Sequence, residues 1–347
     1  MSTPKVSFED SLRKNVVDTG KCVGCSACIV VCPFNCLEYV DEEPKVVKEC
    51  KVCGICAQAC PRYYWDWSKA ENFVFGRERK PEEDFGVYRK LVVAQAKNDD
   101  VLRACQDGGV VTALLLFALE NGFIDGAVVS ALSQEKPFHP IPKLAVTREE
   151  ILESAGTKYS YSPNIQALAE VAKQKKSSLA FVGTPCQIHA IRKMQMAGLK
   201  RYTAPIKFLI GLMCSESFYY EGLMQKHIQE KLGINLNAIK KMNIKGKMLI
   251  TTEKGVKAIA LSEIKQYARR SCSFCDDFSS ELADISTGGL GLDKWTFTII
   301  RTEKGEDLFS KADKAGILNV KAAETEANAL NLLTKLSRKK RGAVKTP

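Results

Sequence analysis

Two cysteine runs constrain this chain more than any other feature. The first reads Cys22-Val-Gly-Cys25-Ser-Ala-Cys28-Ile-Val-Val-Cys32-Pro33 and the second Cys50-Lys-Val-Cys53-Gly-Ile-Cys56-Ala-Gln-Ala-Cys60-Pro61; both follow C-x2-C-x2-C-x3-C-P. Three thiolates at that step can wrap one corner of an iron–sulfur cubane, and the fourth, on the turn leading to the proline, reaches across to the neighbouring cluster. The spacing predicts one 4Fe-4S cluster on Cys22, Cys25, Cys28 and Cys60 and a second on Cys50, Cys53, Cys56 and Cys32. A structural zinc site is one alternative, but it would use one or two C-x2-C pairs, often with histidine, and has no need of a third cysteine or of the proline. Disulfides are another; they require an oxidising compartment, and the segment before Cys22 lacks the apolar core of a signal peptide. Clusters of this kind carry single electrons.

Composition bounds the remainder. At 347 residues the chain has room for one small module and one sizeable core. No apolar run approaches the ~20 residues of a membrane span, so any membrane contact is expected to come through a partner. Fourteen cysteines without a targeting segment point to a reduced cytoplasm and to metal. The net charge of +11 suits a solvated basic surface, or attraction of an acidic substrate or protein partner. No aromatic-interleaved basic motif suggests nucleic acid. The basic tail from Arg338 to Lys345 reads as a solvated helix end rather than a docking strip.

Residues 1–21 are polar and are expected to wrap the surface of the first module. The aromatic run Tyr63, Tyr64, Trp65 and Trp67 is expected to pack that module on the larger domain, rather than to screen a cluster. A charged linker from Lys69 to Arg89 then gives a division into 1–85 and 86–347. From Leu91 the pattern alternates between apolar strands and amphipathic helices. Strands are predicted at Leu91–Gln95, Asp125–Ser130, Leu144–Thr147, Leu179–Val182, Phe208–Leu212, Met248–Thr252 and Thr296–Arg301. Helices are predicted at Gly109–Asn121, Pro163–Gln174, Pro185–Ala197, Phe218–Leu232, Glu306–Lys314 and Ala322–Ser337. This alternation implies an α/β domain, with α+β character in places, built on a largely buried mixed sheet.

Six cysteines lie outside the two runs. Cys186 follows a strand and opens a helix, where a thiolate is favoured by unpaired amides, and Cys214 ends the next strand; with the third C-x2-C, Cys272 and Cys275, they put four thiols in the large domain. Cys36 and Cys105 read as packing residues. A catalytic thiol at Cys105 or Cys186 would need a base, and His189 is the only histidine near in sequence. His139 and His227 have no partner motif. Gly108 and Gly109 open a helix at Thr112 and could admit an anion to its amides. Thr157, Lys158 and Tyr159 add hydroxyls and a cation, and Gly288 and Gly289 a glycine-rich strand end. No G-x-G-x-x-G follows a strand, so a flavin here would be held in some way other than a Rossmann site.

These residues resemble the family formed by the beta subunits of coenzyme F420 hydrogenases and dehydrogenases. The likeness rests on Gly108-Gly109-Val-Val-Thr112, Gly156-Thr157-Lys158-Tyr159, Gly183-Thr-Pro-Cys186-Gln187, Gly211-Leu-Met-Cys214, and Cys272-Ser-Phe-Cys275 with Ala283-Asp284-Ile-Ser286. It covers about residues 90–310, and the two-cluster front end looks most like the electron-input subunit of the reduced-F420 dehydrogenase complex of methanogenic archaea. It is also similar to the first half of F420-dependent sulfite reductase. The resemblance implies FAD, a third 4Fe-4S cluster on Cys186, Cys214, Cys272 and Cys275, and hydride exchange with the deazaflavin coenzyme F420. A flavin can take two electrons and release them singly, so the implied route runs from deazaflavin to FAD, the third cluster, the two ferredoxin clusters and an outside acceptor. That acceptor would be ferredoxin or a larger redox complex: a hydrogenase, a dehydrogenase or a membrane complex. Two rival readings are a ferredoxin-dependent reductase of a chlorophyll-type pigment and an electron-transfer subunit without its own substrate.

Overall fold

A computed structural model of the chain describes residues 5–343. Its centre is an eight-stranded mixed sheet in the order β13-β3-β12-β11-β7-β6-β4-β5. The strands of the chain are β1 (Leu37–Val40), β2 (Glu43–Val46), β3 (Lys90–Ala96), β4 (Gly126–Leu132), β5 (Pro140–Ala145), β6 (Leu179–Gly183), β7 (Ile206–Leu212), β8 (Ile239–Lys245), β9 (Lys247–Thr252), β10 (Gly255–Ala260), β11 (Ile285–Gly288), β12 (Thr296–Ile300) and β13 (Leu318–Ala322). The four inner strands β11, β7, β6 and β4 are mutually parallel, and antiparallel strands extend the sheet at both sides.

Both faces of the sheet are covered, which is why its strands read as continuous apolar runs. Side chains alternate across it: Ala180 and Val182 of β6 pack under helices Val110–Glu120 and Glu303–Lys314, while Leu179 and Phe181 pack against helix Pro185–Met196. Beside the main sheet β8, β9 and β10 form an antiparallel sheet that packs with the wide, π-type helix Glu221–Lys231 around its own apolar cluster.

The predicted strands and helices all recur, with shifts that have local causes. The strand expected at Leu144–Thr147 lies at Pro140–Ala145, because two prolines that argue against a central strand are tolerated on an edge strand. The last helix begins at Ala327, not Ala322, since Leu318–Ala322 pairs with β3. The N-terminal segment does not merely wrap the surface. Glu9–Val17 forms a helix that buries Leu12, Val16 and Val17 beside Phe8, Cys28 and Cys60 in the module's own core.

The module is fastened to the large domain by apolar and polar contacts. Val23, Cys25, Ala27, Val31 and Ala59 share a core with Phe181, Ile188 and Ile191. Trp65 and Trp67 pack on that core, whereas Tyr64 stands 84% exposed. Lys193 donates to the carbonyls of Cys60 (2.7 Å) and Tyr63, Trp67 Nε1 to Asp276 (2.6 Å), and Arg62 to Phe274 O (2.8 Å). The fully buried Arg301 gathers the linker by donating to the carbonyls of Phe85 (3.0 Å) and Val87 (2.9 Å).

Asp284 is the buried hub of the sheet. Its carboxylate accepts from Arg192 (2.9 Å), Leu209 N (2.7 Å) and Thr302 Oγ1 (2.9 Å) and pairs with Lys304 at 3.0 Å. Burial pushes this carboxyl up, but Arg192 and Lys304 outweigh it and hold it below its ordinary value. A depressed carboxyl contributes stability above its unfolded pKa, and that stability is lost as pH falls through the folded one. Asp284→Asn should therefore cost about 3 kcal/mol at neutral pH, as for a broken buried pair, and less in acid. Denaturant midpoints across pH check this; a penalty that did not shrink in acid would refute it.

Candidate cofactor sites

The two cysteine runs have nearly the same backbone. Gly24 (φ 65°) and Val52 (φ 52°) occupy equivalent positions before the second cysteine, and Ser26 (φ 66°) and Gly54 (φ 72°) equivalent positions after it; each pair turns left-handed. A β-branched residue at positive φ is strained, and such strain is characteristically held at functional loops. After each turn comes a short helix, Ala27–Val30 or Ile55–Ala59, that carries its chain to Cys32 or Cys60.

Two separate cavities result, and the fourth cysteine of each run is exchanged. Cys22, Cys25, Cys28 and Cys60 line one with Leu12, Val16 and Pro61; Cys32, Cys50, Cys53 and Cys56 line the other with Phe8 and Leu37. Cys36 is buried at the second cavity and donates to Glu49 O at 3.1 Å. Backbone amides address the sulfurs: Gly24 N lies 3.4 Å from Cys22 Sγ and Phe8 N 3.5 Å from Cys50 Sγ. Burial pushes the Cys22 and Cys56 thiols up to about 12. Four thiols around an apolar void, with amides turned on the sulfurs, fit a cubane, whose irons would favour the thiolates that burial disfavours.

The large-domain thiols meet because of strand register. Gly183 of β6 pairs with Gly211 of β7, so Cys186 and Cys214, each three residues further on, leave the same sheet edge. Cys272 and Cys275 come from the turn Arg270–Phe274 and the residue after it. Cys272, Cys186 and Cys275 all lie within electrostatic reach of Cys214, so the four form one group. Ser217 N lies 3.5 Å from Cys272 Sγ, Thr184 Oγ1 3.3 Å from Cys186 Sγ and Tyr161 OH 3.6 Å from the same sulfur. Four thiols in one group, with Ser217 N turned on Cys272, are a set that could hold a cluster.

The junction between this group and the module is close and cationic. Cys25 of the first cavity faces Cys186, and the buried Tyr161 faces both. Arg269 stacks over Tyr161 at 4.7 Å and is paired with Glu42. His189 is not a base for Cys186. Its Nε2 bonds Asp277 at 2.9 Å and its ring stacks on Trp65 at 4.7 Å. The basic tail is a solvated end only in part: Arg338 and Lys339 are exposed, Arg338 pairing with Asp84, but Lys340 reaches the carbonyls of Ser215 and Cys272 and Arg341 pairs with buried Glu281. Residues 344–347, including Lys345, lie outside the described part.

The glycines expected to cradle a flavin all pack against the protein's own atoms. A Cβ at Gly108 would strike Ala94 O at 2.6 Å, and one at Gly109 would strike Val101 at 2.7 Å, so protein packing accounts for both. Thr112 is buried in the following helix. Gly288 packs against Met213, and a Cβ at Gly289 would lie 2.3 Å from the Asp107 carboxylate. Thr157 is exposed. Lys158 donates to the carbonyl of Ala155 (3.0 Å) and to that of Ser154, and burial lowers its pKa to about 8. Tyr159 faces both Asp107 and Cys214. Asp107 is pushed up by burial and held by Lys245 and Lys241 of β8. Sequence reasoning missed these two lysines because they arrive on a strand of the second sheet. Gly289, Asp107, Tyr159, Lys241 and Lys245 thus gather beside the third thiol group.

Known protein families match the chain in three segments. The family model for the C terminus of the coenzyme F420 hydrogenase/dehydrogenase beta subunit matches residues 176–326, its N-terminal companion matches 91–169, and a 4Fe-4S dicluster domain matches 14–85. The beta subunit of coenzyme F420 hydrogenase from Methanothermobacter thermautotrophicus is 40% identical over 74% of this chain and 92% of its own length. The F(420)H(2) dehydrogenase of Methanosarcina mazei has an F subunit that is 32% identical over 85% of this chain and 83% of its own. A chain in the solved structure of the F420-reducing NiFe hydrogenase complex from Methanosarcina barkeri superposes with a TM-score of 0.72 at 36% identity, over 76% of this chain and 92% of that one.

Proposed function

Because this chain belongs to the family of coenzyme F420 hydrogenase/dehydrogenase beta subunits, we propose that it is an iron–sulfur flavoprotein exchanging hydride with F420 and electrons with a ferredoxin or a larger redox complex. The observation that carries this reading is that the fold brings the third thiol group within electrostatic reach of both its neighbours, Tyr159 beside Asp107 on one hand and Cys25 of the first module cavity on the other. FAD would supply the change from hydride to single electrons, and three 4Fe-4S clusters the one-electron steps.

The residues have separable tasks in this scheme. Gly289 lets the Asp107 carboxylate approach its backbone, and Tyr159 lies within electrostatic reach of both Asp107 and Cys214. Lys241 and Lys245 place positive charge where an anionic coenzyme would approach. Cys25 and Cys186 make the handover to the module, and Cys32, Cys50, Cys53 and Cys56 then form the outlet, beside the exposed Phe34 and Val52.

Anaerobically purified protein should contain about twelve iron and about twelve acid-labile sulfide per chain. Acid precipitation should release FAD; neither Gly109→Val nor Gly289→Val isolates its binding, since the new side chains meet Val101 and Asp107 inside the protein. Reduced F420 should bleach the flavin band first and the cluster absorbance after it. Rapid reduction by NADH with none by reduced F420 would refute the assignment.

A further inference from the structure

The helix Ala327–Gly342 starts beyond residue 326, where the family match ends, yet its basic end closes over the large-domain thiols. Arg338 forks onto Asp84 (2.8 and 2.7 Å), and Arg341 meets Glu281 at 2.7 Å. Both arginines are thereby matched by carboxylates. Between them Lys340 donates to the carbonyls of Ser215 and Cys272, the second at 3.5 Å. These carbonyls belong to the loops that present Cys214 and Cys272. The ammonium faces the thiols of Cys275, Cys214 and Cys272, and makes no ion pair among the described residues. Arg62 occupies the side of the group nearer Cys186 and Cys275, with its Nε and Nη2 buried and unpartnered among the described residues.

A carbonyl pair could be satisfied by any neutral donor; an ammonium adds a charge. An iron–sulfur group gains negative charge on reduction, so a nearby cation inside the protein stabilises its reduced form. We propose that Lys340 is a potential-setting residue: it raises the reduction potential of the cluster held by Cys186, Cys214, Cys272 and Cys275, and so makes the C-terminal helix part of the electron path. This rests on the reading of those four cysteines as cluster ligands. Lys340 acts through charge on the cluster, and Arg338 and Arg341 hold its helix in register.

Potentiometric titration of the anaerobic full-length protein, followed by electron paramagnetic resonance, tests the idea on wild type, Lys340→Met and Lys340→Arg. In Lys340→Met the large-domain midpoint should move negative by at least a tenfold change in the oxidised-to-reduced ratio, ~59 mV for one electron. The two module clusters should keep their midpoints, and Lys340→Arg should restore most of the shift. Full iron content with every midpoint unchanged in Lys340→Met would overturn the proposal, as would equal shifts in the Met and Arg variants, which would assign the effect to packing. Should Lys340→Met lose iron, Lys340→Gln against Lys340→Arg makes the same comparison. Two clusters in wild type would instead overturn the ligand reading itself, and would show before any substitution.

Discussion

Chelating iron from the anaerobic protein should unfold the N-terminal module while leaving the eight-stranded sheet in place. The module's own core cluster is Phe8, Leu12, Val16, Val17, Leu37 and Ala57 with three cysteines, Cys28, Cys56 and Cys60. A segment this small cannot bury enough apolar surface alone, and the two cavities at its centre are lined by cysteines as well as by apolar side chains. The left-handed turns at Ser26 and Val52 add strain that bound metal would help to offset. Structural metal sites of comparable size contribute on the order of 10 kcal/mol to folding, more than the stability of many whole domains. Amide exchange from Cys22 to Cys60 should therefore accelerate by at least ~100-fold after chelation, about 2.7 kcal/mol of lost protection and a lower bound on that contribution. Exchange in β6, β7 and β12 should change far less, because Phe181, Leu209, Phe297 and Ile299 pack in cores built mostly from the large domain. Protected amides between Cys22 and Cys60 in iron-free protein would show that the module folds on packing alone.

How much of this was legible in the sequence depends on whether the cause is local. The exchange of Cys32 and Cys60 between two cavities follows from the step of the cysteines along the chain, and needs no knowledge of the rest of the molecule. The inner strands were legible because burial on both faces makes them continuously apolar. The hairpin Leu37–Val46 was not: Glu38, Asp41, Glu42 and Glu43 obscure its alternation, and its positive-φ turn at Asp41 and Glu42 lacks the usual glycine. That Cys186 and Cys214 approach one another depends on the pairing of Gly183 with Gly211, a long-range register that residue spacing does not encode. The basic tail was misread in part, for a related reason. Its partners Asp84, Glu281 and the Ser215 carbonyl lie far away in the chain, and a charge run read alone defaults to a solvated face.

Cys186→Ser should leave reduction of the flavin by reduced F420 intact while steady turnover with a one-electron acceptor falls by at least ~100-fold, a barrier increase of about 2.7 kcal/mol. The separation follows from where the thiol stands. Cys186 faces Cys275 within the large-domain group, and Cys25 of the first module cavity faces Cys186 in turn, so it lies on the boundary between the two halves. The proposed hydride side, at Asp107, Tyr159 and Gly289, lies nearest that group at Cys214, through Tyr159, so Cys186 is not expected to serve it. A serine keeps the contacts to Thr184 and Tyr161 in outline but is a poor ligand for iron, so the change acts on the relay more than on the fold. Stopped-flow traces of the flavin band, set beside viologen reduction in the same preparation, distinguish the two steps. Equal losses in both would mean that Cys186 serves the hydride step or the fold, and unchanged turnover would mean that electrons leave the large domain without crossing at Cys186.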